Sequence, residues 1–152
     1  MGMIMSFAAI TTEELASVLT DADAVTELIA TGPRAGYARV DLDKSWDGIR
    51  YLMRTAGLGV DLLEDGRTIG DEGTMSGWST ADVERAAVAM RDVPFSDLLD
   101  RYDPQRMEDA DVYPNIWATE WALDYLLDNY RRLRHFFIDT AAEGQAALMV
   151  WG

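Results

Sequence analysis

Apolar positions along the chain fall into two short runs at its ends and several helical stripes between them. Residues 3–9 form an apolar run containing Met3, Ile4, Met5 and Phe7, and residues Ala146 to Trp151 form another. Runs of this length bounded by turn residues predict buried strands. Between them, Leu15, Val18 and Leu19 share one helical face, preceded by Thr11 and Glu14 in the spacing of a capping box. Asp21 or Asp23 is expected to cap a second helix, with Val25, Leu28 and Ile29 inward and a stop at Gly32-Pro33. Trp46, Ile49, Met53 and Ala56 predict a third helix, capped by Asp43 and ended by Gly57.

Residues 58–77 lack a clear period and are rich in glycine and acidic residues, which predicts a loop carrying a short strand at Met75–Trp78. Ser79 or Thr80 then opens a helix with Val83, Ala86, Ala87 and Met90 on one side. Pro94 separates it from a short helix holding Leu98, Leu99 and Tyr102. Asp103-Pro104 is a cap followed by a first-turn proline. Tyr113-Pro114 marks an extended turn. The longest helix is expected from about Ala118 to Glu143, burying Leu123, Leu126, Tyr130, Leu133, Phe137 and Ala141, with Gly144 as its stop. Strands at both ends with runs of helices between them predict an α+β fold. Both terminal strands are expected in one small sheet, packed by the long C-terminal helix.

A chain of 152 residues fits a single domain over 1–152. A domain of this length hides roughly 70% of its unfolded surface, so it needs no staples. There is no cysteine, which excludes disulfides, thiol nucleophiles and thiolate metal sites. No apolar run approaches a membrane span, and the N-terminus lacks the basic region of a signal peptide. Gly2 and Ser6 match a myristoylation pattern that fixes only two residues, and the same stretch reads better as a strand. The expectation is a soluble cytoplasmic protein.

Charge narrows the partners. Thirteen Lys+Arg stand against 27 Asp+Glu, a net charge of −14. The acidity is spread over both halves of the chain, so it is no tail. Nucleic acid and anionic membrane surfaces both require a basic face, and neither is expected as a partner. A basic protein partner fits the sign, while solubility alone also accounts for it.

Familiar catalytic patterns are missing. The single histidine, His135, falls on the polar side of the long helix and reads as a surface residue. Asp41-Leu42-Asp43 begins like a calcium loop, but Trp46 stands where glycine is required and Leu52 where glutamate is required. Gly57 and Gly59 lack the third glycine of a dinucleotide loop, and Ser76 sits outside a nucleophile elbow. The carboxylate pairs Asp41/Asp43, Glu64/Asp65 and Asp71/Glu72 read as solvated surface in so acidic a chain. No metal or cofactor is expected, and enzyme activity is left open.

The aromatics offer more. Trp46, Trp78, Trp117, Trp121 and Trp151 occur with Tyr51, Tyr102, Tyr113 and Tyr130. Most large rings are core. Rings held on loops by rigid turns can instead line a pocket or an interface. On that ground Trp78, Tyr102, Asp103, Tyr113 and Trp117 are the expected binding residues. Trp78 precedes a helix cap, and the two proline turns hold the other four.

Leu42-Asp43-Lys44-Ser45-Trp46 followed by Tyr51-Leu52 resembles one sequence block of the YfbM-like bacterial family. The Met1-Gly2-Met3 opening is similar to that family's start. Arg101-Tyr102-Asp103-Pro104 with Met107, and Tyr113-Pro114 with Trp117, resemble a second block. The resemblance covers nearly the whole chain and implies a small α+β domain of unknown function, with no catalytic residues to carry over. Asp47, Arg50 and Met53-Arg54 stand where many relatives carry histidine or a Leu-Thr-Gly ending. The reading that follows is a binding module for a protein partner. The alternative is a small-molecule binder or enzyme with an aromatic pocket under residues 58–78.

Overall fold

A computed structural model describes residues 2–30 and 37–152. The expected stop at Gly32-Pro33 lies outside the described residues, as does the side chain of Ile29. In chain order the elements are β1 (Met5–Ile10), α1 (Thr12–Thr20), α2 (Ala24–Ala30), β2 (Arg39–Asp41), α3 (Trp46–Thr55) and β3 (Arg67–Thr68). They continue as β4 (Met75–Trp78), α4 (Thr80–Arg91), α5 (Phe95–Leu99), α6 (Pro104–Asp109), α7 (Ala122–Ala142) and β5 (Ala146–Trp151).

The strands form one sheet in the order β2-β1-β5-β4-β3. Every pairing is antiparallel. The two ends of the chain are neighbours at its centre, in register from Met5 opposite Trp151 to Ile10 opposite Ala146. The expectation of one sheet holding both terminal strands holds, and α7 packs on that sheet through β2 and β5.

Alternation along the strands divides the core. Met5, Phe7 and Ala9 of β1 and Ala147 and Met149 of β5 face the main cluster beneath α3, α4 and α7. Ile10, Ala146 and Leu148 face the opposite side, where α1 and α2 bring Leu15, Val18 and Val25. Because β5 is covered on both faces, its sequence is a continuous apolar run and not an alternating one.

Local signals explain most boundaries. Thr11 and Glu14 exchange both bonds of a capping box at α1, and Ser79 and Asp82 do the same at α4. Asp103 caps α6, with Pro104 in the first turn. Val83, Ala86, Ala87 and Met90 are all buried against α7. From α7, Arg134 reaches back to donate to the carbonyls of Met90 and Arg91, satisfying the C-terminal end of α4.

Several expectations are corrected. Asp43 does not cap α3; Ser45 occupies that position without a capping side-chain bond. Asp43 lies earlier, in a left-handed turn at φ 50, and its carboxylate is used elsewhere. Helix α7 starts at Ala122 and not near Ala118, because residues 116–121 form tight turns closed by Thr119 N–H to Ile116 O and Ala122 N–H to Thr119 O. Strand β1 starts at Met5, since the N–H of Met3 goes to a tyrosine and not to the sheet. Leu99 is exposed, and Tyr102 lies beyond the short helix. The stretch 58–77 also contains β3, which was not expected, whereas the expected short strand at Met75–Trp78 is present as β4 and carries Trp78 at its end.

One close approach tests this packing. Gly48 lies buried within α3, and a Cβ there would sit 2.5 Å from Trp117 Cη2 and 2.8 Å from Leu126 Cδ2. A helical alanine gains about 1 kcal/mol over glycine. Overpacking against a rigid, buried indole costs more, typically 1–3 kcal/mol. Gly48→Ala is therefore expected to lower unfolding free energy by up to about 2 kcal/mol in urea titration. An unchanged or raised stability would show that Trp117 yields easily.

Candidate functional site

The family-like blocks converge in space. The indole N–H of Trp46 donates to Met3 O at 2.9 Å, and Met3 N–H donates to the Tyr113 hydroxyl at 2.7 Å. The Trp46 and Tyr113 rings stack with centroids 5.6 Å apart, and Trp151 meets Trp46 edge-on at 5.7 Å. The N–H of Tyr113 donates to Asp47 Oδ2 at 2.9 Å. Arg50 bridges onward, to Asp47 Oδ1 at 2.9 Å and in a bidentate pair to Asp61 at 2.9 and 3.1 Å. Asp61 also accepts from the N–H groups of Leu63 and Glu64. One chain of polar contacts thus runs from the 61–64 turn through α3 to the Tyr113 turn.

Burial opposes ionisation of Asp61, but the bonds from Arg50 and from the Leu63 and Glu64 N–H groups outweigh it. The carboxyl is held below its ordinary value. For Arg50, burial likewise opposes the charge, and the two carboxylates overcome it.

The five expected binding residues take different places. Tyr102 donates its hydroxyl to Trp117 O at 2.7 Å, and Trp117 donates its indole N–H to Val112 O at 2.8 Å. Together with Tyr113 they tie down the connection between α6 and α7. Asp103 is the α6 cap, accepting from Arg106 N–H at 3.2 Å. Trp78 lies apart from this group, against Phe7 and Phe137 at centroid distances of 5.6 and 5.3 Å. Trp78 and Trp117 are both 0% exposed, so neither ring borders open space. A cavity of about 390 Å³ is lined by Tyr37, Ala38, Asp139, Ala142, Glu143 and Gln145, and includes none of the five.

A different aromatic is open. Trp121 is 53% exposed, the most exposed large hydrophobic among the described residues. It sits at the N-terminus of α7 and meets Tyr125 edge-on at 5.6 Å. The Tyr125 hydroxyl donates to Asp43 Oδ2 at 2.7 Å and accepts from Lys44 N–H at 3.0 Å. Asp43 N–H in turn donates to Asp41 Oδ1 at 2.8 Å. Burial, the bond to Asp43 and the charge of Asp41 push the Tyr125 phenol well above the usual tyrosine range, so it stays a donor. Glu120 and Asp124 flank Trp121 and are exposed. Asp41, Asp43, Glu120 and Asp124 form no ion pair with any described residue.

The periodicity puts Trp121 inside the long helix and gives it no binding role, whereas it stands at the helix N-terminus. The signal was present. Position 121 lies five residues before Leu126, off the buried stripe, so a tryptophan there faces solvent.

A family model described as a domain of unknown function, DUF1877, matches residues 1–150. The crystal structure of YfbM from Escherichia coli, a protein of unknown function, is similar, with a TM-score of 0.73 at 17% sequence identity. The match covers 98% of this chain and 99% of that one. At that identity the likeness is one of fold. No curated protein matches the sequence.

The polar chain at Arg50 makes an acid-limb prediction. A carboxyl lowered in the folded state stabilises fully above its unfolded value of about 3.9 and loses that contribution as pH falls through the lowered value. Asp61→Asn should therefore cost stability at pH 7, and the gap to the native protein should shrink below about pH 4. Urea titrations at the two pH values check this; a gap that does not change with pH would remove Asp61 from the acid response.

Proposed function

The chain belongs to the DUF1877 family, and we propose that it is a binding module for a basic protein partner, seated around Trp121. The observation that carries this reading is a half-exposed tryptophan near Glu120 and Asp124 in sequence and linked through Tyr125 to Asp43, three carboxylates that form no ion pair with any described residue. Leaving an indole in water forgoes its burial, and exposed aromatics are enriched where partners dock. Net charge adds long-range attraction: at −14 the protein steers a cationic partner and repels an anionic one.

The alternative of an aromatic pocket beneath residues 58–78 draws less support, because the Trp78 ring is covered by Phe7 and Phe137. The absence of cysteine suits a cytoplasmic bacterial setting for the partner. Among the described residues no helix is long and apolar enough to cross a membrane.

Trp121 packs little of itself into the fold, so Trp121→Ala should change unfolding free energy by under about 0.5 kcal/mol. The same change is expected to weaken partner binding by tenfold or more, on the order of a hot-spot residue. Binding by the native protein should fall as salt rises from about 50 to about 500 mM, through screening. Capture from host lysate by immobilised native and Trp121→Ala protein, with the isoelectric points of the captured chains determined, is the measurement. Captured proteins no more basic than a control, or equal capture by both forms, would refute the proposal.

A further inference from the structure

We infer that the group anchored at this surface is an arginine guanidinium and not a lysine ammonium. The inference rests on the binding-module reading above and names the chemistry that its partner presents.

The two cations differ in what they need. An ammonium is a compact point charge that keeps its hydration shell, and any nearby carboxylate satisfies it. A guanidinium is planar and weakly hydrated; it stacks on aromatic faces and directs N–H groups outward in its plane. A surface that favours arginine therefore combines an open ring with a carboxylate of fixed direction beside it.

The Trp121 surface has an open ring and, joined to it through Tyr125, a held carboxylate. The indole is half-exposed and held from one side by the Tyr125 ring. That edge-on contact supports the indole from one side and leaves the rest of the ring open. Asp43 is the fixed carboxylate. Its backbone sits in a left-handed turn, its N–H is engaged by Asp41, and its Oδ2 receives the Tyr125 hydroxyl. Oδ1 accepts no hydrogen bond from a described residue, and remains for an incoming donor. The same tyrosine therefore orients both the ring and the acid.

Among the described residues, none of the protein's own cations forms an ion pair with Asp43. Lys44 is next to Asp43 in sequence, but its aliphatic stem lies against Gly2. Arg132 is engaged further along α7 with Asp128 and Asn129. Glu120 and Asp124, on either side of Trp121, add negative potential without a fixed geometry, and so raise affinity for any cation without choosing between them.

The test uses two labelled peptides of equal length and charge, alternating glycine with either arginine or lysine, titrated by fluorescence anisotropy at low salt. The arginine peptide is expected to bind about two- to fivefold tighter, in line with a stacked contact at an exposed site. Trp121→Ala should abolish the preference while leaving weak, salt-sensitive binding of both peptides. Tyr125→Phe keeps the ring contact but frees Asp43, and is expected to reduce the preference partly. Equal affinity for the two peptides would overturn the guanidinium assignment while leaving a basic partner in place. A preference that survives Trp121→Ala would overturn it too, by moving the anchor elsewhere. Binding of neither peptide at low salt would overturn the underlying reading as well.

Discussion

The pairing of the first strand with the last is the constraint on which the rest of this structure depends. Residues 5–10 meet residues 146–151 at the middle of the sheet, so the chain closes on itself before either edge can be completed. Strand β2 needs β1, and β4 needs β5. Contacts so distant in sequence reward the chain only after nearly all of its loop entropy has been given up. The compensation is burial on both sides of β5, where Ala147 and Met149 serve one cluster and Ala146 and Leu148 the other. A polar substitution at any of these four positions would remove a support of one layer or the other.

The second constraint acts at the end of the sheet. Where β1 leaves the ladder, the backbone of Met3 is taken up by Tyr113 and Trp46. Tyr113 is held by Asp47, and Asp47 by Arg50, which also holds the 61–64 turn. The partly buried Arg50 is compensated by two carboxylates, and removing one of them would leave its charge only partly compensated. Through this chain α3 fixes the connection between α6 and α7, and with it the starting direction of α7. Trp121 is aimed outward as a consequence: Trp117 and Ala122 on either side of it are fully buried, so the short segment between them can turn only its remaining face to water.

Legibility in the sequence followed physical locality. Caps at Thr11, Ser79 and Asp103 depend on neighbours three residues away, and each was readable. The stripe on α7 was readable for the same reason, although its first turn was not. The turns at 116–121 are closed by local carbonyls in a sequence with no helix breaker after Pro114. Strands β2 and β3 escaped notice because at three and two residues they are too short to show a period. Asp43 was misread as a cap because an aspartate before an apolar stripe is the usual cap signature; only the fold reveals that Tyr125, 82 positions away, has use of its carboxylate. The loop aromatics were the harder case. Composition shows that Trp78 and Trp117 are large and near turns, but not that Phe7, Phe137, Val112 and Tyr102 would enclose them.

Acidic residues around α7 admit an explanation that involves no partner. Asp124 lies in the first turn of the helix, where a negative charge favours the macrodipole. Asp128 pairs with Arg132 one turn on, a common surface arrangement. These effects stabilise a helix whether or not anything binds. Trp121 stands outside them, because an exposed indole contributes nothing to the dipole and little to the core. Asp43 stands outside them as well: it is not part of the helix, and its orientation depends on a tyrosine whose ring also supports the tryptophan. Charge alone would describe a soluble protein. The coupling of an open ring to a held carboxylate through Tyr125 is what distinguishes this corner of the surface from the rest of an acidic exterior.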